Sequence, residues 1–377
     1  MKRKRNIKKT VILFICAGIA MLAAGLILLR SETVQDKLHE SAIEKKTDEI
    51  MKGMSEEEKV GQLFMGCFYS SLPGADEIEE YHLGSILLFK ESFKNMDKTS
   101  LAAHLKKIRK ECFIPPVIAV DEEGGTVNRL SAYTAFRNKP FQSPRSLYQS
   151  GGMEALISDA HEKNALLKEA GIDMNLAPVC DISQNPENFM YQRSLGEDEK
   201  ITSEYAASIV KACNEDGIIC TLKHFPGYGN SDDTHKGLVV DQRPLDTFKK
   251  RDFLPFEAGI DAGAPAVLVS HNIVSEIDGN YPASLSEKTH RILREDMNFD
   301  GVIVTDDLSM EAISQYTDGK DAAVAAVLAG SDILCTGDFK TQYHNVLSAV
   351  KDGTISAKRL DESVKRILTL KIENSIL

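Results

Sequence analysis

The chain has 377 residues, 42% hydrophobic and 27% charged, with a formal charge of −11. That length allows one barrel-sized domain or two smaller ones, and that composition excludes collagen-like and largely disordered chains. Seven of the 45 Lys and Arg lie in the first thirty residues, which hold no acid, so the remainder is more acidic than the total suggests and lacks the basic face of a nucleic-acid binder.

Residues 1–35 read as a signal anchor. A basic stretch from Lys2 to Lys9 precedes an uninterrupted apolar run of 19 residues from Val11 to Leu29. A helix that crosses a bilayer core needs about 20 residues. Positive charge ahead of the run predicts a cytoplasmic N-terminus and an exported remainder, hence a single-pass protein of the cell membrane with its main domain on the extracytoplasmic side. Gly25 to Arg30 offers no small-x-small cleavage site, and bulky Leu13-Phe14-Ile15 before Cys16 argues against lipidation. Residues 36–50 read as a polar tether. The seven cysteines form no CxxC, so their spacing gives neither a zinc site nor a disulfide framework, and they are expected to be buried thiols.

Residues 51–373 read as one domain. Eight short apolar runs recur there, at Gly61–Phe68, Ser85–Phe89, Val117–Asp121, Asp173–Pro178, Ile218–His224, Ala266–His271, Val302–Asp306 and Asp332–Cys335. Amphipathic helical segments such as Thr99–Lys110, Met153–Ala170, Ile201–Asp216 and Asp321–Ala329 lie between them. Strand alternating with helix requires a parallel sheet covered by helices, because parallel neighbours need long crossovers. The expected fold is therefore α/β, a single (β/α)8 TIM-type barrel preceded by an N-terminal transmembrane helix, with an open doubly wound sheet as the alternative.

A barrel should gather its chemistry at the carboxyl ends of its strands. The apolar runs end in Asp121, in Lys223-His224, in His271 and in Asp306, and Asp181 follows a fifth run after a short turn. In Val304-Thr305-Asp306-Asp307 the two carboxylates must diverge, since side chains alternate along an extended chain. One can act as nucleophile, metal ligand or general base, and the other is placed to cap the next helix. Metal binding is disfavoured, for no second acidic pair or His-x-His sits at ligand spacing. No cofactor is expected.

The stretch from Lys223 to Gly229, KHFPGYG, leaves a strand as an irregular loop and continues into Asp233-Thr234-His235. Lys223 and His224 can donate to ligand hydroxyls, while Asp233 can orient His235 and raise its basicity, making His235 an acid/base candidate. In Asp121-Glu122-Glu123-Gly124-Gly125-Thr126-Val127-Asn128-Arg129, Asp121 can accept from vicinal hydroxyls and Arg129 can reach the same place. Three acids before the glycines, with no GxxxxGK[ST], exclude a phosphate cradle.

These segments, DEEGGTVNR, RSLGED, KHFPGYG with its following DTH, SHNI and VTDDLSM, resemble glycoside hydrolase family 3 in its β-N-acetylhexosaminidase branch, in order and from about Met51 to Lys371. The resemblance implies Asp306 as nucleophile and His235 as acid/base assisted by Asp233. It also implies that Asp121, Arg129, Arg193, Lys223, His224 and His271 hold an N-acetylglucosamine ring. Departures from the commonest family form are Tyr228 in place of a histidine, Thr126 in place of a basic residue, and a spacer of Asn230, Ser231 and Asp232 that is one residue short. Neither Tyr228 nor Thr126 removes a proposed catalytic group.

The expected activity is retaining hydrolysis of terminal, non-reducing N-acetylglucosamine from cell-wall fragments or chitin-like oligosaccharides, through a glycosyl-aspartate. The expected partners are that glycan and, through the N-terminal helix, a membrane, with no nucleic acid. Many family relatives carry a second domain that can supply the acid/base; here only a helical tail follows the barrel, which favours the loop histidine. Two alternatives remain: a β-glucosidase-type hydrolase of the same family, and a non-catalytic membrane-tethered sugar-binding protein.

Overall fold

A computed structural model describes residues 37–229, 237, 239–317 and 322–377. The chain divides into two units, Met1–Lys52 and Gly53–Leu377. In the first, residues 37–52 are helical.

In the second unit, local signals set the helix ends. Ser55 and Glu58 form a reciprocal capping box on Glu56–Gln62, and Asp97 and Ser100 form another on Lys98–Glu111. Ser143 caps Pro144–Ala170, which ends at left-handed Gly171, and Asp198 caps Glu199–Asp216, which ends at left-handed Gly217. Gly152 breaks the helical backbone inside the first of these long helices, with φ of 63°.

The strands are β1 (Phe64–Phe68), β2 (Ser85–Leu88), β3 (Val117–Val120), β4 (Met174–Asn175), β5 (Ile219–Phe225), β6 (Val240–Asp241), β7 (Ala266–Val269), β8 (Ile273–Val274), β9 (Val302–Thr305) and β10 (Leu334–Thr336). Eight of them form one sheet in the order β10-β1-β2-β3-β4-β5-β7-β9, every pairing parallel. A parallel bridge between Val304 and Ile333 joins β9 to β10 and closes the ring. The hydroxyl of Thr305 reinforces this seam by accepting the Cys335 N–H at 3.0 Å. The barrel strands are buried at every position, which is why they read as continuous apolar runs and not as alternating ones.

All eight expected runs contain a barrel strand, with shifted ends. Gly61 and Gln62 belong to the first helix, and a Cβ at Gly61 would lie 2.3 Å from the Tyr81 carbonyl oxygen. β4 has two residues because the Ala177 N–H turns back to the Asn175 carbonyl at 2.8 Å; a single parallel bridge between Val179 and Lys223 follows it. Sequence periodicity gave no sign of the small parallel pair β6–β8 beside the barrel.

The transmembrane part of the expected fold is corrected. Among the described residues no helix is long and apolar enough to cross a membrane. The 27-residue helix Pro144–Ala170 has the length, but Arg145, Glu154, Asp159, Glu162, Lys163, Lys168 and Glu169 make it far too charged. The run expected to span, Val11–Leu29, lies outside the described residues.

Candidate functional site

The end of β3 runs into Asp121-Glu122-Glu123, whose side chains diverge. Glu122 turns inward to the protein: its carboxylate accepts the backbone N–H groups of Arg129 at 2.9 Å and Leu130 at 2.8 Å, and the Ser131 hydroxyl. It thereby shapes the loop that carries Arg129. Gly124 makes the turn possible, with φ of 100° and no room for a Cβ, which would lie 2.2 Å from the Gln142 carbonyl oxygen.

Asp121 and Glu123 both meet Lys223, from the end of β5. The ammonium of Lys223 lies 2.6 Å from Asp121 Oδ1 and 2.6 Å from Glu123 Oε1, and its side chain is 2% exposed. Arg193, just after the turn Phe189–Gln192, grips Glu123 with two donors, Nε to Oε2 at 3.0 Å and Nη2 to Oε1 at 2.7 Å. Burial opposes ionisation of Glu123, but the charges of Arg193 and Lys223 outweigh it and hold the carboxyl well below the usual range. Burial likewise opposes the charge on Arg193, and Glu123 more than offsets it, so the guanidinium is raised above its ordinary pKa.

Arg193 Nη2 also lies 3.1 Å from His224 Nε2. A guanidinium only donates, so Nε2 presents its lone pair and Nδ1 carries the ring hydrogen, which it donates to Asp181 Oδ2 at 2.7 Å. The other oxygen of Asp181 accepts the Tyr228 N–H at 2.7 Å. The Tyr228 ring is buried edge-on against His224, with centroids 5.3 Å apart. Beneath the glycines of this loop sits Arg243, paired with Asp241 at 2.8 Å and Asp252 at 2.9 Å. Its guanidinium occupies the space a side chain at Gly229 would need.

At the end of β9, Asp306 donates its N–H to the Val269 carbonyl of β7 at 2.9 Å, and its Oδ1 accepts the Asp307 N–H at 2.9 Å. Asp307 points elsewhere. One of its oxygens accepts the Tyr69 hydroxyl and the other the N–H groups of Ser309 at 2.9 Å and Gly337 at 3.3 Å. Burial, with the nearby Cys67 and Asp307, pushes the Tyr69 phenol well above its usual pKa, keeping it a donor.

Asp121, Arg129, Arg193, Lys223, His224 and Asp306 all line one cavity of about 510 Å³ at the carboxyl end of the barrel. Phe89 and Phe189 form apolar walls, with the guanidinium carbons of Arg129 and Arg193 5.4 and 5.5 Å from their ring centres. His271 is not among the lining residues. It is fully buried, bonded to the Ser284 hydroxyl at 2.8 Å, and its Nε2 donates to the Asp307 carbonyl at 3.0 Å, supporting the Asp306-Asp307 turn from behind. Asp233 and His235 lie outside the described residues. No role for Glu123, Tyr69 or Tyr228 followed from the sequence; Glu123 could have been found from its place two residues beyond Asp121, on the same side of an extended chain. Among the described residues no cluster of three or more His, Cys, Asp or Glu could hold a metal ion. Six cysteines, Cys67, Cys112, Cys180, Cys213, Cys220 and Cys335, are buried and free, and Cys16 lies outside the described residues.

The family model described as the glycosyl hydrolase family 3 N terminal domain matches residues 55–370. The chain belongs to glycosyl hydrolase family 3. As a family 3 member it is a glycoside hydrolase. Among relatives, the beta-hexosaminidase LpqI of Mycobacterium tuberculosis is 29% identical over 332 residues, covering 85% of this chain and 84% of the relative. A beta-hexosaminidase of Stenotrophomonas maltophilia is 34% identical over 267 residues, covering 69% of this chain and 77% of the relative. Among solved structures, a glycoside hydrolase family 3 beta-N-acetylglucosaminidase from a Paenibacillus species superposes with a TM-score of 0.80 at 30% identity. That match covers 86% of this chain and 63% of the Paenibacillus chain, so this family 3 chain spans less than two thirds of that protein.

Proposed function

We propose that this family 3 enzyme is a retaining β-N-acetylhexosaminidase that removes terminal, non-reducing N-acetylglucosamine from cell-wall fragments or chitin-like oligosaccharides. The observation that carries the reading is the meeting of Asp306 with Asp121, Lys223 and Arg193 around one cavity. Relatives named beta-hexosaminidase and beta-N-acetylglucosaminidase support the choice of sugar.

In this reading Asp306 attacks the anomeric carbon as the bond to the leaving oxygen breaks, and His235 gives that oxygen its proton. His235 then takes a proton from water, which displaces Asp306 and restores the β-configuration. Asp233 orients the imidazole and favours its protonated form. Asp121 accepts from sugar hydroxyls while Arg129, Arg193 and Lys223 donate to them, and His224 packs within the same floor. His271 acts indirectly, through the Asp307 carbonyl.

The test is turnover of an aryl N-acetyl-β-glucosaminide by the wild type, Asp306→Ala and His235→Ala. The His235 variant should lose about 10²–10⁴-fold in rate, and the Asp306 variant at least as much. A fluorinated N-acetylglucosaminide should label the peptide that holds Asp306. Only few-fold losses, a label elsewhere, or preference for the plain glucoside would overturn the assignment.

A further inference from the structure

We propose that Glu123 is a positioning residue for sugar binding, whose buried carboxylate decides which N–H groups of Lys223 and Arg193 face the cavity. The inference rests on the reading of that cavity as a sugar site.

Glu123 is 3% exposed and both its oxygens are engaged, Oε1 by Lys223 at 2.6 Å and Arg193 Nη2 at 2.7 Å, Oε2 by Arg193 Nε at 3.0 Å. An ammonium has three hydrogens. Asp121 and Glu123 take two from Lys223, and among the described residues nothing takes the third, which can serve a ligand. Of the five guanidinium hydrogens of Arg193, those on Nε and Nη2 go to Glu123 and His224, and among the described residues Nη1 meets only the Met190 sulfur at 3.8 Å. Nη1 is thus the end of Arg193 available to an incoming hydroxyl or carbonyl.

The arrangement depends on an acceptor at both oxygens. A glutamine in the same place would present one NH2 to a cationic N–H, donor against donor, so either Lys223 or Arg193 would have to turn away. It would also remove the one carboxylate that Lys223 and Arg193 share, and removing one partner of a buried charge pair strands the other. Such contacts are made to bound substrate and transition state alike, so their loss falls on KM more than on kcat.

The experiment measures kcat and KM on an aryl N-acetyl-β-glucosaminide for the wild type, Glu123→Gln, Glu123→Asp and Arg193→Ala, and for Glu123→Gln combined with Arg193→Ala. Glu123→Gln should raise KM at least about 10-fold, as expected for a lost charged hydrogen bond, with kcat changed less. Glu123→Asp, which keeps the charge, should fall between it and the wild type. In the Arg193→Ala background the same substitution should cost less, since the two side chains act together. A wild-type KM in Glu123→Gln, or losses that multiply independently, would overturn the inference. If Glu123→Gln fails to fold, Glu123→Asp decides by the same split between KM and kcat. If the wild type itself does not turn over the sugar, the proposed function fails; crystal structures of wild type and Glu123→Asp then decide the inference. Displacement of the Lys223 or Arg193 donors from the cavity supports it, and unchanged donors overturn it.

Discussion

A single oxygen of Asp181 accepts two hydrogen bonds from His224, from the ring Nδ1 at 2.7 Å and from the backbone N–H at 3.1 Å. Asp181 therefore fixes both the tautomer of the imidazole and the course of the chain that bears it. Asp181→Asn keeps the shape but gives up the charge and puts an NH2 group where an acceptor is needed. A hydrogen bond to a charged group is worth about 1.5–3 kcal/mol, so kcat/KM is expected to fall about 10–100-fold in steady-state assays.

Tyr69→Phe removes the hydroxyl that holds Asp307 while keeping the ring against Phe89, 4.6 Å away between centroids. Asp307 in turn holds Asp306 through its N–H. The expected result is a drop in kcat of up to about 10-fold, the scale of one hydrogen bond, with KM nearly unchanged. A change confined to KM would place Tyr69 in sugar binding instead.

Gly124→Ala forces a side chain into a left-handed position and against the Gln142 carbonyl. Such strain costs on the order of 1–3 kcal/mol. Thermal unfolding should show a lower Tm, and KM should rise because the loop that carries Arg129 starts here.

Lys371 gives a pH prediction. Its ammonium is fully buried and donates to Gln62 Oε1 at 2.7 Å. Burial pushes its pKa down from 10.5 to about 7, against the pull of Asp173 and Cys112. Between about pH 7 and 10.5 the folded chain therefore holds fewer protons than the unfolded one, and this group makes stability rise with pH across that window. Lys371→Met removes the effect. Urea unfolding should show its gain over the wild type to be largest at pH 7 or below and to shrink as pH approaches 10.

The barrel was legible because its strands are buried on both sides, so each stands out as an unbroken apolar run such as Val117–Val120. Their ends were less so. The helix that Ser55 and Glu58 cap at its start runs on through Gln62, into what reads as strand. The polar strand ends that meet at the cavity could be named from position alone. His271 shares that position, yet its side chain turns to Ser284 and to the back of Asp307. Glu123 went unassigned because its partners, Arg193 and Lys223, are 70 and 100 residues distant in the chain and come together only when β3 and β5 take their places.

Asp121, Lys223, Glu123 and Arg193 alternate in sign along the cavity floor, so their formal charges cancel. An uncharged carbohydrate entering there is drawn by no net long-range field from these four. Mobile ions have little to screen, and the affinity for it should scarcely change with ionic strength.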